Sequence, residues 1–370
     1  MKAACPLKVA LEVDEDSFVS RLTKVNPSVV ITRHGTRDVL EVQNVDLRPA
    51  GEDEVIIEVR AAGLNFADVS ARQGLYPDAP RTPCVMGYEV AGIVVKKGSQ
   101  VTKPEVGDRV VAMTQFGGQA SQVVARAEHC FTMPETMSFN EAAAIPVNYL
   151  TAFHMLFQIG NVRPGSSILL HMAAGGVGTA VLQLLRTIDN VKIFGTASKA
   201  KHQYLESLGC DVPIDYRTED YVKIVQSHTQ GRGVDIVLDP LGGEHWRKSW
   251  SLLAPAGRMV CFGFAGGHKG HRRSLIHVAR QLLKMILVNP VSAMNQNKSL
   301  QGVNMGHLWS EAEMLRGEMT QILELWQKGV VAPNVHASLP FTRANEAHGL
   351  LEDRKNFGKV ILVPDMHFPD

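Results

Sequence analysis

Cysteine is scarce in this 370-residue chain: Cys5, Cys84, Cys130, Cys210 and Cys261 are odd in number, far apart and never in C-x-x-C spacing. That argues against a disulfide framework and suits a reducing compartment, with thiols serving as small buried hydrophobes. Charge of one sign is lacking too. The 38 Lys and Arg against 37 Asp and Glu leave +1, so no global field points to nucleic acid. No window reaches about 18 uncharged apolar residues, the length a membrane-crossing helix needs. A secretory core is also missing, because Pro6 and Lys8 interrupt Ala3–Cys5 and three acidic residues, Asp14, Glu15 and Asp16, follow. The expectation is a cytoplasmic protein, or one peripheral on a membrane facing the cytosol.

What is plentiful is glycine, 32 residues, in a chain 45% apolar, a profile that fits an α/β fold with many tight turns. Residues 1–26 read as a flexible lead-in. From Val29 the pattern turns β-rich, with strands at Val29–Thr32, Val39–Val42, Glu54–Ala61, Glu89–Lys96, Arg109–Met113 and Gln119–Val124, as in a compact barrel-like domain. A helical stretch, Glu141–Gly160, leads into strict alternation. Strands at Ser167–Met172, Val191–Ala197, Asp211–Ile214, Val234–Leu238 and Arg258–Phe262 alternate with helices at Val177–Ile188, Lys199–Leu208, Thr218–His228 and Glu244–Leu253. Such alternation predicts a doubly wound parallel sheet. A helix at Glu311–Lys328 and strands at Val335–Pro340 and Lys359–Val363 close the chain. The fold class is α/β: a β-barrel-type domain at 27–149, completed by 330–370, and a Rossmann domain at 150–329.

The nucleotide site is the turn at the end of the first alternating strand. Ala173, Gly175 and Gly178 fill the three slots of G-x-G-x-x-G, within Ala173-Ala174-Gly175-Gly176-Val177-Gly178. A small first residue permits the turn, the second lets backbone amides approach a pyrophosphate, and the third lets helix pack on strand. The helix start adds amide donors and the positive end of its dipole. About twenty residues on, an NAD site places an acid for the ribose hydroxyls. Here the segment reads Gly195-Thr196-Ala197-Ser198-Lys199, with Lys201 beyond and Tyr216 as a lid. Hydroxyls and cations without an acid suit a 2′-phosphate, so the predicted cofactor is NADPH. Ser198 also fits simple helix capping.

Several segments resemble the zinc-independent quinone oxidoreductase branch of the medium-chain dehydrogenase/reductase superfamily. They are Gly63–Asp68 with Arg72–Tyr76, Gly87–Gly92, Ala173–Gly178, Asp239–Gly243 and Asn356–Val360. Within it, Phe66–Tyr76 and the insertion before Gly302–His307 resemble the synaptic-vesicle membrane protein (vesicle amine transport) family. The resemblance implies a GroES-like catalytic domain ahead of the Rossmann domain, and proteins of the cytosol that also associate with vesicles and the mitochondrial outer surface. It further implies that Asn65 faces the nicotinamide or substrate, that Thr151 touches the cofactor, and that Asn356 binds near the nicotinamide end. Phe262, Gly263, Phe264 and Met305 would supply contacts around the same cleft. Asn65 as a loop cap and Thr151 as helix packing remain alternatives.

Zinc-dependent relatives use Cys and a Gly-His-Glu as catalytic ligands. In this chain Asn65 and Tyr88 stand in those places, so the usual donors of a tetrahedral site are missing and no metal is expected. The expected reaction is hydride transfer from NADPH to a quinone or enone. Many relatives carry Tyr where this chain has Ser70, a shorter and less acidic donor, with Tyr76 as a substitute. A second reading rests on the basic amphipathic insertion at 266–300. Leu275, Val278, Ala279, Leu282, Leu283 and Ile286 fall on one helical face, with His277, Arg280, Gln281 and Lys284 opposite and Lys269, Arg272 and Arg273 before them. Residues 268–288 fit contact with an anionic membrane, or packing in the cleft or a dimer interface. His268, His271 and His277 read as a basic surface rather than a metal site. The expected partners are a small electrophile and a second copy of the chain as a homodimer, with no nucleic acid.

Overall fold

The computed structural model describes residues 25–367, except Lys269 and Arg272. Residues 1–24 of the expected lead-in lie outside the described residues. Its last residue, Asn26, is not loose: it is buried, and its Oδ1 accepts from Ser121 Oγ (2.9 Å) and Gln122 N (2.8 Å).

Six strands form one parallel sheet in the order Val212–Asp215, Lys192–Ala197, Ser167–Leu170, Val234–Asp239, Leu253–Cys261, Ser299–Gly302. The first strand in sequence is central, so the chain reverses direction of winding at its carboxyl end, where such sheets bind ligands. Its residues are apolar because both faces are covered: Ile168, Leu169 and Leu170 are fully buried. Gly209 ends the helix His202–Ser207 region at φ +92°, a left-handed conformation that glycine adopts without strain.

The other large sheet has seven strands. Val335–Pro340, Lys359–Val363, Glu54–Leu64, Glu89–Lys97, Arg109–Met113 and Cys130–Thr132 run in that order, with Gln122–Arg126 also on Glu54–Leu64. The carboxyl-terminal strand thus returns to the first domain, with Val360 opposite Leu64. That pairing sets Lys359 beside Asn65. A single apolar core runs from Ala61, Val111 and Phe131 through Tyr149 and Leu150 to Ile168 and Val181, and ties the two sheets together.

Between them the expected helix Glu141–Gly160 is broken. Phe139–Ala143 is capped by Ser138, which accepts from Glu141 N, and a second helix, Pro146–Phe153, continues as a π-helical turn, His154–Ile159. Pro146 explains the break: without an N–H it suits a first turn and cannot continue a helix.

Candidate active site

One cleft of about 800 Å³ opens where the two sheets meet, at the carboxyl ends of the parallel strands. Its nucleotide half is the glycine turn. The helix Gly176–Leu185 begins directly after Gly175, aiming its first amides at the cleft. Gly178 packs on the Ala173 backbone and Gly176 on the Asn148 side chain, so tightly that a Cβ at either would collide. Gly358 N donates to Ala174 O (3.1 Å), pinning the turn to the carboxyl-terminal segment. Ala174, Gly175, Gly176, Val177 and Gly178 all line the cleft.

Beside the turn, Thr196, Ser198, Tyr216 and Asn356 also line it, joined by Lys201 and Arg354. Lys199, expected here, is exposed and outside the lining; the 3₁₀ turn Lys199–Lys201 points the first lysine out and the last one in. Lys201 donates to Asn356 O and lies 4.9 Å over the Phe357 ring. Burial, with Arg217 and Arg354 nearby, lowers its pKa to about 8. Those two guanidinium groups each stand 5.8 Å from the Tyr216 ring centre. None of the three cations forms an ion pair with a carboxylate among the described residues. Asp215 partly offsets Arg217, and the positive charge left around an aromatic plate fits a phosphate beside a flat ring.

At the other end, Asn65 precedes the helix Phe66–Arg72, a helix the sequence pattern did not announce. Its Nδ2 donates to Glu89 Oε1 (2.8 Å) and its Oδ1 accepts from Lys359 Nζ (2.7 Å), while Lys359 also bonds Glu89. Glu89 Oε2 accepts from Val147 N (2.7 Å), and Lys359 and Glu89 are both buried. The Asp68 carboxylate accepts from Asn65 N (2.7 Å) and Gly87 N (3.2 Å), and burial raises its pKa to about 7. Thr151 lines the cleft with its hydroxyl donated to Val147 O (2.5 Å). Phe262, Gly263, Phe264 and Met305 complete the wall, and Ser70 and Tyr76 line it as well.

The three histidines of the insertion do not form one basic surface. His268 enters the cleft, edge-on to Phe66 at 4.8 Å; His271 meets Glu352 (3.1 Å); His277 Nε2 donates to Gly266 O (2.9 Å). The insertion helix Leu275–Leu283 turns neither expected face wholly inward, and Arg280 and Lys284 are exposed. His277, Val278 and Gln281 turn inward, Gln281 onto Gly243, while Leu275, Ile276, Leu282 and Leu283 are exposed. Lys359, Glu89, His268 and Arg354 are functional candidates to which sequence reasoning gave no place in the cleft. Glu89 and Lys359 carried a signal as parts of Gly87–Gly92 and Asn356–Val360, His268 was read only as basic surface, and Arg354 carried none.

The fold and the glycine turn define a medium-chain dehydrogenase/reductase. The alcohol dehydrogenase GroES-like domain model matches residues 51–152 and the zinc-binding dehydrogenase model residues 208–362. The chain is 42% identical over 341 residues to the synaptic vesicle membrane protein VAT-1 homolog of Rattus norvegicus, covering 91% of this chain and 83% of that protein. With the VAT-1 homolog of Danio rerio it shares 40% over 353 residues, 95% of this chain and 72% of that one. This chain belongs to the VAT-1 homolog family. The solved quinone oxidoreductase of Escherichia coli, complexed with NADPH, superposes with TM-score 0.81 at 29% identity, covering 91% of this chain and 99% of that one.

Proposed function

We propose that this chain is an NADPH-dependent, zinc-independent oxidoreductase acting on a quinone or enone. The observation that carries the reading is the cation cluster Lys201, Arg217 and Arg354 beside the glycine turn, with Ser198 and no acid at the end of the second parallel strand. NADPH is what the cleft fits: the amides at Gly176–Gly178 suit its pyrophosphate, and the cations its 2′-phosphate. The bound cofactor supplies hydride. Everything else falls to the protein. Asn65, fixed from both ends by Glu89 and Lys359, keeps one Nδ2 hydrogen for the cleft. Phe262, Phe264 and Met305 wall the cleft with apolar surface and exclude water.

The donor set at Asn65 does not suit zinc. An ammonium, Lys359, occupies the space between Asn65 and Glu89, and Tyr88 replaces imidazole. A cation already held there opposes a second one. Among the described residues no group of three or more His, Cys, Asp or Glu could hold a metal.

A second reading is favoured by the exposed apolar face of the insertion, which includes Leu283 at 84% and Leu287 at 94% exposure beside Arg280 and Lys284. This face contacts an anionic membrane surface in a protein that holds NADPH and turns over little. No helix among the described residues is long and apolar enough to cross a membrane. A second copy of the chain pairs through the open edge strand Ser299–Gly302. NADPH oxidation measured against a panel of quinones and enones tests the primary reading. Turnover with at least one acceptor is expected; tight NADPH binding with no turnover on any acceptor contradicts it.

A further inference from the structure

Ser70 stands in the slot where many quinone oxidoreductases carry tyrosine, but its proton is committed. The hydroxyl faces two acceptors, Phe66 O and His268 Nε2, each at 3.0 Å. Gln73 fixes this arrangement. Its Nε2 donates to Glu352 Oε1 (2.6 Å), which leaves Oε1 to accept from His268 Nδ1–H (3.0 Å). The lone pair of His268 is therefore the one turned to Ser70. Burial lowers the His268 pKa to about 4, so the ring is neutral at physiological pH and has no second proton to lend. Ser70 cannot act as the donor to a ligand without breaking this chain.

Two phenols in the same cleft are uncommitted. Tyr76 follows the helix Phe66–Arg72, and Tyr88 precedes the strand Glu89–Lys97. Their rings meet edge-on at 6.0 Å, and Phe116 stands 5.5 Å from Tyr88 on another side. Tyr88 Oη is buried without a hydrogen-bond partner; the Tyr76 hydroxyl is near enough to perturb it, yet outside hydrogen-bonding geometry. An unpaired buried hydroxyl costs stability, and in a binding cleft a ligand oxygen relieves that cost. Leu75, Pro77, Met113 and Trp309 make the surroundings apolar. Burial pushes both phenols upward, so both keep their protons at neutral pH.

We propose that Tyr88 and Tyr76 together receive the carbonyl oxygen of an apolar quinone or enone, the donor role that Ser70 cannot fill. This rests on reading the cleft as a hydride-transfer site. When hydride from NADPH forms the new C–H bond of an enone, the π pair moves onto the carbonyl oxygen and the cofactor is oxidised to NADP⁺. The two O–H donors stabilise that oxyanion. Tyr76, half-exposed, passes it a proton and regains one from water.

The test uses the full chain and its Tyr88→Phe, Tyr76→Phe and Ser70→Ala variants. One readout is binding of 4-nitrophenolate, an oxyanion probe, to the NADP⁺-loaded protein, followed by its absorbance. The other is kcat/KM for menadione and a long-chain enone. Each tyrosine variant is expected to weaken 4-nitrophenolate binding about ten-fold and lower kcat/KM at least ten-fold, with KM for NADPH unchanged. Tyr88→Phe should also raise the Tm of the free protein, because the unpaired hydroxyl is gone, which separates lost function from lost fold. The proposal is overturned if the wild type does not bind 4-nitrophenolate, if Tyr88→Phe changes neither readout, or if Ser70→Ala costs more than Tyr88→Phe. Probe binding through Tyr88 with no turnover on any acceptor would uphold the phenol pair and sink the hydride-transfer reading instead.

Discussion

Lys359 and Glu89 are sealed from solvent and stabilise each other across Asn65. Removing one partner of such a pair strands a buried charge. Lys359→Met should therefore cost about 3–5 kcal/mol of stability, read by denaturant unfolding, and an unchanged midpoint would contradict the arrangement. Acid sensitivity belongs to the same scale. Burial lowers His171 to about 4 and His348 to about 3, and both ring nitrogens of His348 lack partners. A histidine depressed in the fold contributes its full stability above its unfolded pKa of about 6.5, and that stability is lost as pH falls toward the folded value. Asp68, raised to about 7, acts in the opposite direction over the same range, gaining as pH falls. His268, also lowered to about 4, acts with the two histidines, so the net outcome of three groups against one is a Tm that declines from pH 6.5 to pH 4. His348→Leu should flatten that decline; an equal slope in wild type and variant would remove His348 as a cause.

Among the elements, the parallel strands were legible because Ile168–Leu170 and Ile236–Leu238 are apolar runs bounded by turns, and the glycine turn follows the first of them. Val335–Pro340 and Lys359–Val363 lie where their sequences indicate. The helix Phe66–Arg72 was not legible, because its buried side chains include Asp68, Ser70 and Arg72, which break any apolar period. Arg72 is buried on Glu352, far away in sequence, and no local pattern carries that partner. The strand Ser299–Gly302 alternates too briefly to be seen. For Leu275–Leu283 the periodicity was real, but periodicity does not say which face meets protein. The inward side is held by single contacts, Gln281 against Gly243 and His277 on Gly266 O, leaving the leucines outside. Replacing Leu283 and Leu287 with Glu should abolish flotation with phosphatidylserine liposomes and leave Tm unchanged, since neither side chain packs on anything. Equal flotation, or burial of these leucines by a second copy in solution, would contradict membrane contact.

For the whole molecule, the two domains meet where the carboxyl-terminal strand crosses back, and that crossing assembles the cleft. It sets Lys359 on Asn65 and Gly358 on the glycine turn. The distant halves of the site were therefore readable only as separate motifs. The parallel sheet ends at Ser299–Gly302 with Leu300 exposed, the open edge through which the proposed pairing with a second copy would run. Leu300→Lys should shift the protein from dimer to monomer in sedimentation; a wild-type monomer would rule that edge out.

Selection of a 2′-phosphate by the cleft underlies the NADPH reading. Titration of NADPH and NADH against the wild type, Lys201→Ala and Arg354→Ala tests it most directly. The wild type should prefer NADPH, each variant should lose about ten-fold or more in NADPH affinity with NADH nearly unaffected, and the preference should fade as pH rises through about 8, where Lys201 loses its charge. Equal affinity for the two nucleotides in the wild type, or equal losses for both in the variants, would contradict the account.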